Sequence, residues 1–268
     1  MTDILWPESG CTTYTNGAGG RYYKALHGEF PVPLPGVTTV LKVLGLSTNA
    51  LIAWSAREER KAVLEAAADV FAEGTHDDGP AGFVAAVEAR IGKAKQHQKL
   101  VSKAADIGTA AHAAVQRMLR LELGLPVGPE VEMPEQAQWA FMAFEDYWKK
   151  SGLKAVRSEQ LIWNVELGYA GTIDIVAEDK DGRVGIADLK TSRGTYLDHH
   201  LQVAAYCHAA RAHTPVEWAK IIRLPKNTSD PDFEVVDLGN LYDGKVISED
   251  KLMEAFAATL SAWRILCG

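Results

Sequence analysis

Cysteine is scarce: Cys11, Cys207 and Cys267 are the only three in 268 residues. An odd number so widely spaced suits a reducing compartment and offers no pair at metal-ligand spacing, so neither a disulfide nor a zinc ribbon is expected. Long apolar runs are missing too. Nothing reaches the roughly 18 uninterrupted apolar residues of a membrane span, and Met1 to Gly10 carries acids and a proline where a leader would be basic and then apolar. A soluble, intracellular protein without membrane association is the expectation. Positive charge is also in deficit, with 28 Lys and Arg against 35 Asp and Glu and a net charge of -7. That balance argues against coating duplex DNA by bulk electrostatics, so any contact with nucleic acid must be local. The run Arg90, Lys93, Lys95, Lys99 and Lys103 is one such place, and it equally fits a solvated helix face. Internal repeats and low-complexity segments are absent, and 47% hydrophobic content excludes a disordered chain.

What is present falls into two textures. From about Thr38 to Ser151 the pattern is helical and alanine-rich, with breaks at Gly45, at Gly74 to Pro80 and at Leu123 to Pro134. Ser47, Thr48 and Asn49 offer caps for a helix through Trp54 towards Ala68, and Pro134 can open the helix carrying Trp139, Phe144 and Trp148. From Lys154 the texture turns to strands: Ala155 to Trp163, Gly171 to Glu178 and Arg183 to Thr191, with Asp181-Gly182 marking a hairpin. A helix from about Tyr196 to His213 follows, then extended runs Trp218 to Leu224 and Phe233 to Leu238. A final amphipathic helix runs through Trp263, with Ser248 as its cap. This order predicts an α/β fold with a mixed central sheet flanked by helices and an N-terminal helical lobe. The domain boundary is expected at 151/152, with residues 1–151 as the lobe or wall and 152–268 as the core, together forming one catalytic unit.

Chemistry concentrates in GTIDIVAEDKDGRVGIADLKTS, residues 171–192. Asp174 interrupts an apolar strand, and Asp188 and Lys190, two apart on the next one, share a face. Whether Asp174 joins them depends on the turn. A three-residue loop, Lys180 to Gly182 with Gly182 left-handed, pairs Asp179 with Arg183 and sets Asp174 opposite Asp188; a two-residue loop separates the acids. Like charges opposite each other among Ile173, Ile175, Ile186 and Leu189 are costly unless a cation sits between them. Such oxygen ligands select a hard ion, Mg²⁺ or Mn²⁺. An Asp-x-Lys triplet alone also fits an exposed strand edge with a local ion pair.

Four further residues bear on the choice. His112 lies on a predicted helix in IGTAAHAAVQRML and Glu159 on the strand before the hairpin. Gln202 and Tyr206, at i,i+4, share one face of the helix after the Lys190 strand. Each alone reads as packing or as surface.

Taken in order, Gly-Thr-x-x-His, a Glu-bearing strand, Gly-x-x-Asp, Asp-x-Lys-Thr-Ser and Gln-x-x-x-Tyr resemble the RecB-type branch of the PD-(D/E)XK nuclease superfamily. Within that branch the chain looks similar to mitochondrial genome maintenance, Cas4-like and phage exonucleases. PGVTTVLKVLG with the following LIAW run extends the resemblance, which covers about Pro35 to Tyr206. It implies a restriction-endonuclease-like core in a Mg²⁺- or Mn²⁺-dependent DNA exonuclease. Asp174, Asp188, His112 and the Leu189 carbonyl would be metal ligands. Lys190 would orient or deprotonate the attacking water, Glu159 would position water or a second cation, and Gln202 and Tyr206 would hold Lys190 or a phosphate. The products would carry 5'-phosphate and 3'-hydroxyl ends. The implied substrate is DNA, single-stranded or with free ends, in the cytoplasm of a bacterium or phage-infected host, with replication or recombination proteins as partners. The proline before the first acid is missing, since Ile173 precedes Asp174, and the second acid is aspartate. Some relatives hold an iron-sulfur cluster on four cysteines; this chain has too few, so none is expected.

Other features fit this chemistry less well. His199, His200, His208 and His213 only partly share a helix face; His76-Asp77-Asp78 lies in a turn cluster; Gly17 to Gly20 lacks the Gly-Lys-Ser/Thr of a phosphate loop. Trp54, Trp139, Trp148 and Trp163 suit core packing more than base stacking. Two other function classes stand beside the exonuclease: a catalytically silent nucleic-acid-binding scaffold that keeps the fold, and a site-selective endonuclease.

Overall fold

The computed structural model describes residues 11–16, 20–25, 32–45, 48–74, 79–92, 96–129, 132–226, 232–241 and 244–267. His76, Asp77, Asp78, Lys93, Lys95, Ser47, most of Gly17 to Gly20 and the first ten residues lie outside them.

A five-stranded sheet forms the centre, with strands β4 (Lys154–Asn164), β5 (Tyr169–Glu178), β6 (Val184–Lys190), β7 (Trp218–Arg223) and β8 (Glu234–Asp237) in that spatial order. All neighbours are antiparallel except β6 and β7, which are parallel. A parallel pair needs a crossover connection, and helix α6 (Leu197–Ala210) supplies it. The sheet is therefore mixed, as the strand and helix order predicts. Its middle strand is buried along nearly its whole length, which is why β6 reads as a continuous apolar run broken only by the residues of chemical interest.

The core joins the sheet to α6, to the short helix α1 (Val37–Leu41) and to the last helix α7 (Glu249–Cys267). Ile162, Tyr169, Ile173, Ile186 and Ile221 from the strands meet Leu201, Ala204, Ala205, Phe256 and Leu260 from the helices. Tyr169 and Phe256 pack edge to face, 5.0 Å between centroids. α7 runs about one turn beyond Trp263, since Arg264 to Cys267 contain nothing that stops a helix.

Two long helices border this body. The C-terminal half of α4 (Gln96–Glu122) buries Ala111, Val115 and Leu119, and α5 (Glu135–Ser151) buries Ala137, Ala140 and Phe144. Glu122 ties them to the sheet by accepting from Trp148 Nε1 at 2.8 Å and from the Ala155 amide at 3.0 Å. α5 starts immediately after Pro134, which is its N-cap, and ends at a left-handed Gly152.

The N-terminal part holds strands as well as helices. β1 (Cys11–Thr15), β2 (Arg21–Ala25) and β3 (Leu34–Pro35) form a second, antiparallel sheet, and Gly36 bridges to Ala170 at the start of β5. By contacts the chain divides into residues 1–45 with 108–268, and residues 46–107. The second unit contains α2 (Thr48–Glu73), α3 (Gly79–Ile91) and the first turns of α4, with a small cluster of Ala66, Val70 and Val87 between α2 and α3. In it Arg90 pairs with Glu73 at 2.6 Å and Asp69 at 3.4 Å, while Lys99 and Lys103 are exposed. No helix among the described residues is long and apolar enough to cross a membrane. Cys207 is buried and free, Cys267 exposed and free.

Strands β6 and β7 approach closely at Gly185, where an added Cβ would lie 2.0 Å from the Trp218 ring and 2.4 Å from its carbonyl oxygen. Gly185→Ala is therefore expected to cost about 1–3 kcal/mol or more, read as a lowered urea midpoint. An unchanged midpoint would mean the two strands tolerate separation.

Candidate active site

The hairpin between β5 and β6 decides which side chains meet. The Asp179 amide donates to the Arg183 carbonyl at 3.0 Å, leaving a three-residue loop, and Gly182 takes φ 79°, where a side chain would be strained. Asp179 holds the loop shut by accepting from the amides of Asp181 and Arg183 at 2.9 and 3.0 Å. Pairing continues through Val176 with Ile186 and Ile175 with Ala187. One step further along the same register, Asp174 faces Asp188.

The two carboxylates are held differently. Asp174 reaches across to β6, where its Oδ2 accepts from the Leu189 amide at 2.7 Å and lies 3.8 Å from His112 Nδ1. Asp188 is only 2% exposed. Its Oδ1 accepts from Gln202 Nε2 at 2.9 Å, and its Oδ2 lies 2.5 Å from Lys190 Nζ. That ammonium opposes the charge at close range, and Oδ2 is otherwise buried with no further polar partner. Burial raises the Asp188 pKa above the ordinary carboxylate range; Lys190 opposes this and Asp174 adds to it.

Helix α6 supplies the supports. Gln202 spends both ends of its amide on the centre, donating to Asp188 and accepting from Lys190 Nζ at 3.1 Å; its Nε2 also donates to the Tyr206 hydroxyl at 2.9 Å. The buried Tyr206 hydroxyl is pushed well above the tyrosine range by burial and then by the charge of Asp188, so it stays protonated and acts as a dipole. Its ring lies against Gly171, where an added Cβ would come within 2.4 Å. The start of α6 is capped reciprocally by Tyr196 and His199.

His112 arrives on α4 through another close approach. At Gly108, one turn earlier, an added Cβ would sit 2.9 Å from Thr191 Oγ1, just past the end of β6. The Gly-Thr-x-x-His spacing thus joins a residue small enough for contact to an imidazole one turn on.

Glu159 is the third acid. Ser158 pairs with Ile175 and Gln160 with Ile173, so Glu159 falls opposite Asp174 on the next strand. Its backbone is left-handed, φ 54°, the one such non-glycine among the described residues. A conformation of this kind costs about 1–3 kcal/mol and persists where its surroundings impose it, often at functional sites. Burial pushes its carboxyl up to about 7; Asp174 and Asp188 add to the shift and the Arg21 guanidinium opposes it. Three carboxylates thus lie in a row across β4, β5 and β6. As the side chains stand, no three His, Cys, Asp or Glu among the described residues converge closely enough to hold an ion.

The sequence-predicted residues His112, Asp174, Asp188, Leu189, Lys190, Gln202 and Tyr206 therefore lie together, with Glu159 beside them. The histidines of α6 and the turn after it have local partners. His200 Nδ1 accepts from the Gly239 amide at 3.1 Å, His208 Nδ1 lies 3.1 Å from the Tyr169 hydroxyl, and His213 packs on Trp163. His199 is pushed down to about 3 by burial, with the Lys190 charge adding to the shift, so it is neutral. Sequence reasoning missed Arg21, Tyr23 and Thr172, on the border of the centre. The threonine- and tyrosine-rich runs CTTYT and RYYKA favour extended structure, but nothing in them places Arg21 or Tyr23 beside β5.

A profile of the PD-(D/E)XK nuclease superfamily matches residues 74–262. The chain belongs to that superfamily. The match includes all eight predicted site residues and leaves β1, β2 and β3 outside it. No curated protein matches, whereas 24 chains of solved structures do. One, described as "Crystal structure of SSO0001", is similar at 11% identity with a TM-score of 0.32, covering 62% of this chain and 75% of that one. Membership of a PD-(D/E)XK superfamily points to phosphodiester hydrolysis, and in the superfamily this typically uses a divalent metal.

The raised pKa of Glu159 has a sign that can be tested. A carboxyl that titrates near 4.5 when unfolded and about 7 when folded costs nothing below pH 4.5 and destabilises progressively up to pH 7. Glu159→Gln is neutral throughout. In EDTA its Tm should match the wild type at pH 4 and exceed it at pH 8, by about 1–2 kcal/mol after screening, or roughly 3–6 °C. A gap that stays constant with pH, or that has the opposite sign, would remove the proposed burial cost.

Proposed function

We propose that this chain is a Mg²⁺- or Mn²⁺-dependent deoxyribonuclease of the RecB-like branch, degrading DNA from free ends, with single strands as the preferred substrate. The observation that carries this reading is the juxtaposition of Asp174 and Asp188 on adjacent strands, one residue beyond the paired Ile175 and Ala187, with Lys190 beside Asp188. An apolar sheet has no structural use for two opposed carboxylates. The Cas4-like sequence order supports action at an end, and the net charge of -7 argues only against extended duplex binding.

The chemistry of the donor set suits a hard cation, although the side chains as they stand would have to close around it. Asp188 Oδ2 is a buried oxygen that faces the Lys190 ammonium, and His112 stands near Asp174. Asp174, Asp188, His112 and the Leu189 carbonyl would hold the ion. When bound, it would acidify water and offset charge on phosphorus.

The chain's own groups do the rest in this reading. Lys190, held by Gln202, presents its ammonium to the attacking water or to a non-bridging oxygen, where negative charge grows in the transition state. Glu159 positions water on the far side of Asp174. Tyr206 fixes the Gln202 amide, so that the ammonium does not swing away.

Asp188→Asn should lower Mg²⁺- or Mn²⁺-dependent degradation of labelled oligonucleotides by at least about 10²-fold with circular dichroism unchanged, and Lys190→Ala should lower it as far while also lowering Tm, because it leaves Asp188 buried without its counter-charge. Time courses on substrates labelled at either end, end-blocked and circular separate exonuclease from endonuclease action. Wild-type protein inert towards single- and double-stranded DNA with both ions would return the chain to a scaffold role.

A further inference from the structure

We propose that Arg21, outside the family-matched segment, is a substrate-contacting residue that binds a backbone phosphate of the DNA strand beside the carboxylate row. This inference rests on the nuclease reading and adds a contact from the N-terminal sheet to it.

Three observations lead to it. The backbone of Arg21 is clamped although its side chain is exposed. Its amide donates to Thr39 Oγ1 at 2.7 Å, the same hydroxyl donates back to its carbonyl at 3.0 Å, and the Gly36 amide donates to that carbonyl at 2.8 Å. Thr39 is buried. Exposed surface arginines rarely need such fixing, whereas a residue that must present its side chain in one direction does.

The second observation is its placement. Arg21 and Tyr23 alternate with Tyr22 on β2 and so share a face. Tyr23 is buried and its hydroxyl lies 3.1 Å from Thr172 Oγ1 on β5. Thr172 is two residues before Asp174 and therefore on the Asp174 face of β5. Gly36, hydrogen-bonded to Arg21, bridges Ala170 on the same strand. The face of β2 that carries Arg21 is thereby applied to the edge of the acid row, and the Arg21 charge is felt at the Glu159 carboxyl.

The third is charge. Glu159, Asp174 and Asp188 are opposed from the sheet by Lys190, which Asp188 already engages. A phosphodiester strand approaching this row meets repulsion unless another cation receives it. Among the described residues Arg21 has no ion pair, not even with Glu159, so its guanidinium is available. Its planar fork suits two oxygens of one phosphate.

The test uses the full chain and fluorescein-labelled oligothymidylate, followed by anisotropy in EDTA over a salt series and by cleavage with Mn²⁺. For Arg21→Ala the Kd should rise about fivefold and the salt slope of log K should fall by about 0.7, one single-strand phosphate. In cleavage KM should rise while kcat stays within about twofold. Arg21→Lys should recover most of the salt slope. A merely structural role would lower Tm and leave the slope unchanged. If wild type binds and cuts while Arg21→Ala matches it in Kd and slope, this inference falls and the nuclease reading survives. If wild type binds without cutting and Arg21→Ala binds more weakly, the inference stands and the catalytic reading fails. If wild type does neither, both fall.

Discussion

The centre depends on the parity of one turn. With three residues in the loop, the β5–β6 register brings Asp174 and Asp188 to the same side; with two, every side chain of one strand would move to the opposite face. Gly182 and Asp179 fix the count locally, one by adopting the left-handed backbone and the other by binding two loop amides. The distant consequence is electrostatic. Two carboxylates, one 2% exposed, face each other between the buried apolar residues Ile173, Ile175, Ala187 and Leu189. Separating such a charge from water costs several kcal/mol per ion, and hydrogen bonds to charged groups return about 1.5–3 kcal/mol each. The Leu189 amide, the Gln202 amide group and the Lys190 ammonium are the groups that offset it.

Those supports reach the sheet because backbone and ring pack where a methyl group would not fit. Gly171 admits the Tyr206 ring, and Gly108 lets α4 come down on Thr191 so that His112 lies within 3.8 Å of Asp174. A glycine in a strand or a helix interior is unfavourable by about 0.5–1 kcal/mol on backbone entropy. Both positions accept that loss, and both border the acid row. The left-handed Glu159 lies in the same place. Local conformational cost thus collects around one cluster of side chains while the outer helices remain regular.

Much of this was legible in the sequence. From Lys154 to Leu224 the strands are β-branched runs bounded by turn residues, and the observed ends lie within two residues of the predicted ones. The helix spacing of Gln202 and Tyr206, and the two-residue spacing of Asp188 and Lys190, translate directly into shared faces. The small N-terminal sheet was not legible. Its strands are two to five residues long and pair locally, too short to give a firm alternating pattern, and the bridge from Gly36 to Ala170 that ties them to β5 spans more than a hundred residues. Arg21 was invisible for the same reason: nothing near it in sequence says that its strand lies against β5. The positive φ of Glu159 also has no local code, because glutamate does not favour it; the surrounding sheet imposes it. α2 continues past Ala68 to Glu73 because its alanine-rich register runs on to Gly74 without a stop.

The net charge and the centre look contradictory until they are taken at their own length scales. At physiological ionic strength exposed charges more than about 8 Å apart are largely screened, so an excess of seven negative charges spread over the surface neither forbids nor favours a strand held at one point. What matters there is the local balance: three carboxylates against Lys190, half-hidden at 18% exposure, and the exposed Arg21. Lys190 already balances Asp188 when nothing is bound. Removing the ammonium alone would strand a buried carboxylate, the costly half of a broken pair, whereas an isosteric amide at position 188 leaves Lys190 close to solvent. The pair is therefore asymmetric. Lys190 contributes to the stability of the sheet by balancing Asp188, whereas the charge of Asp188 itself costs stability.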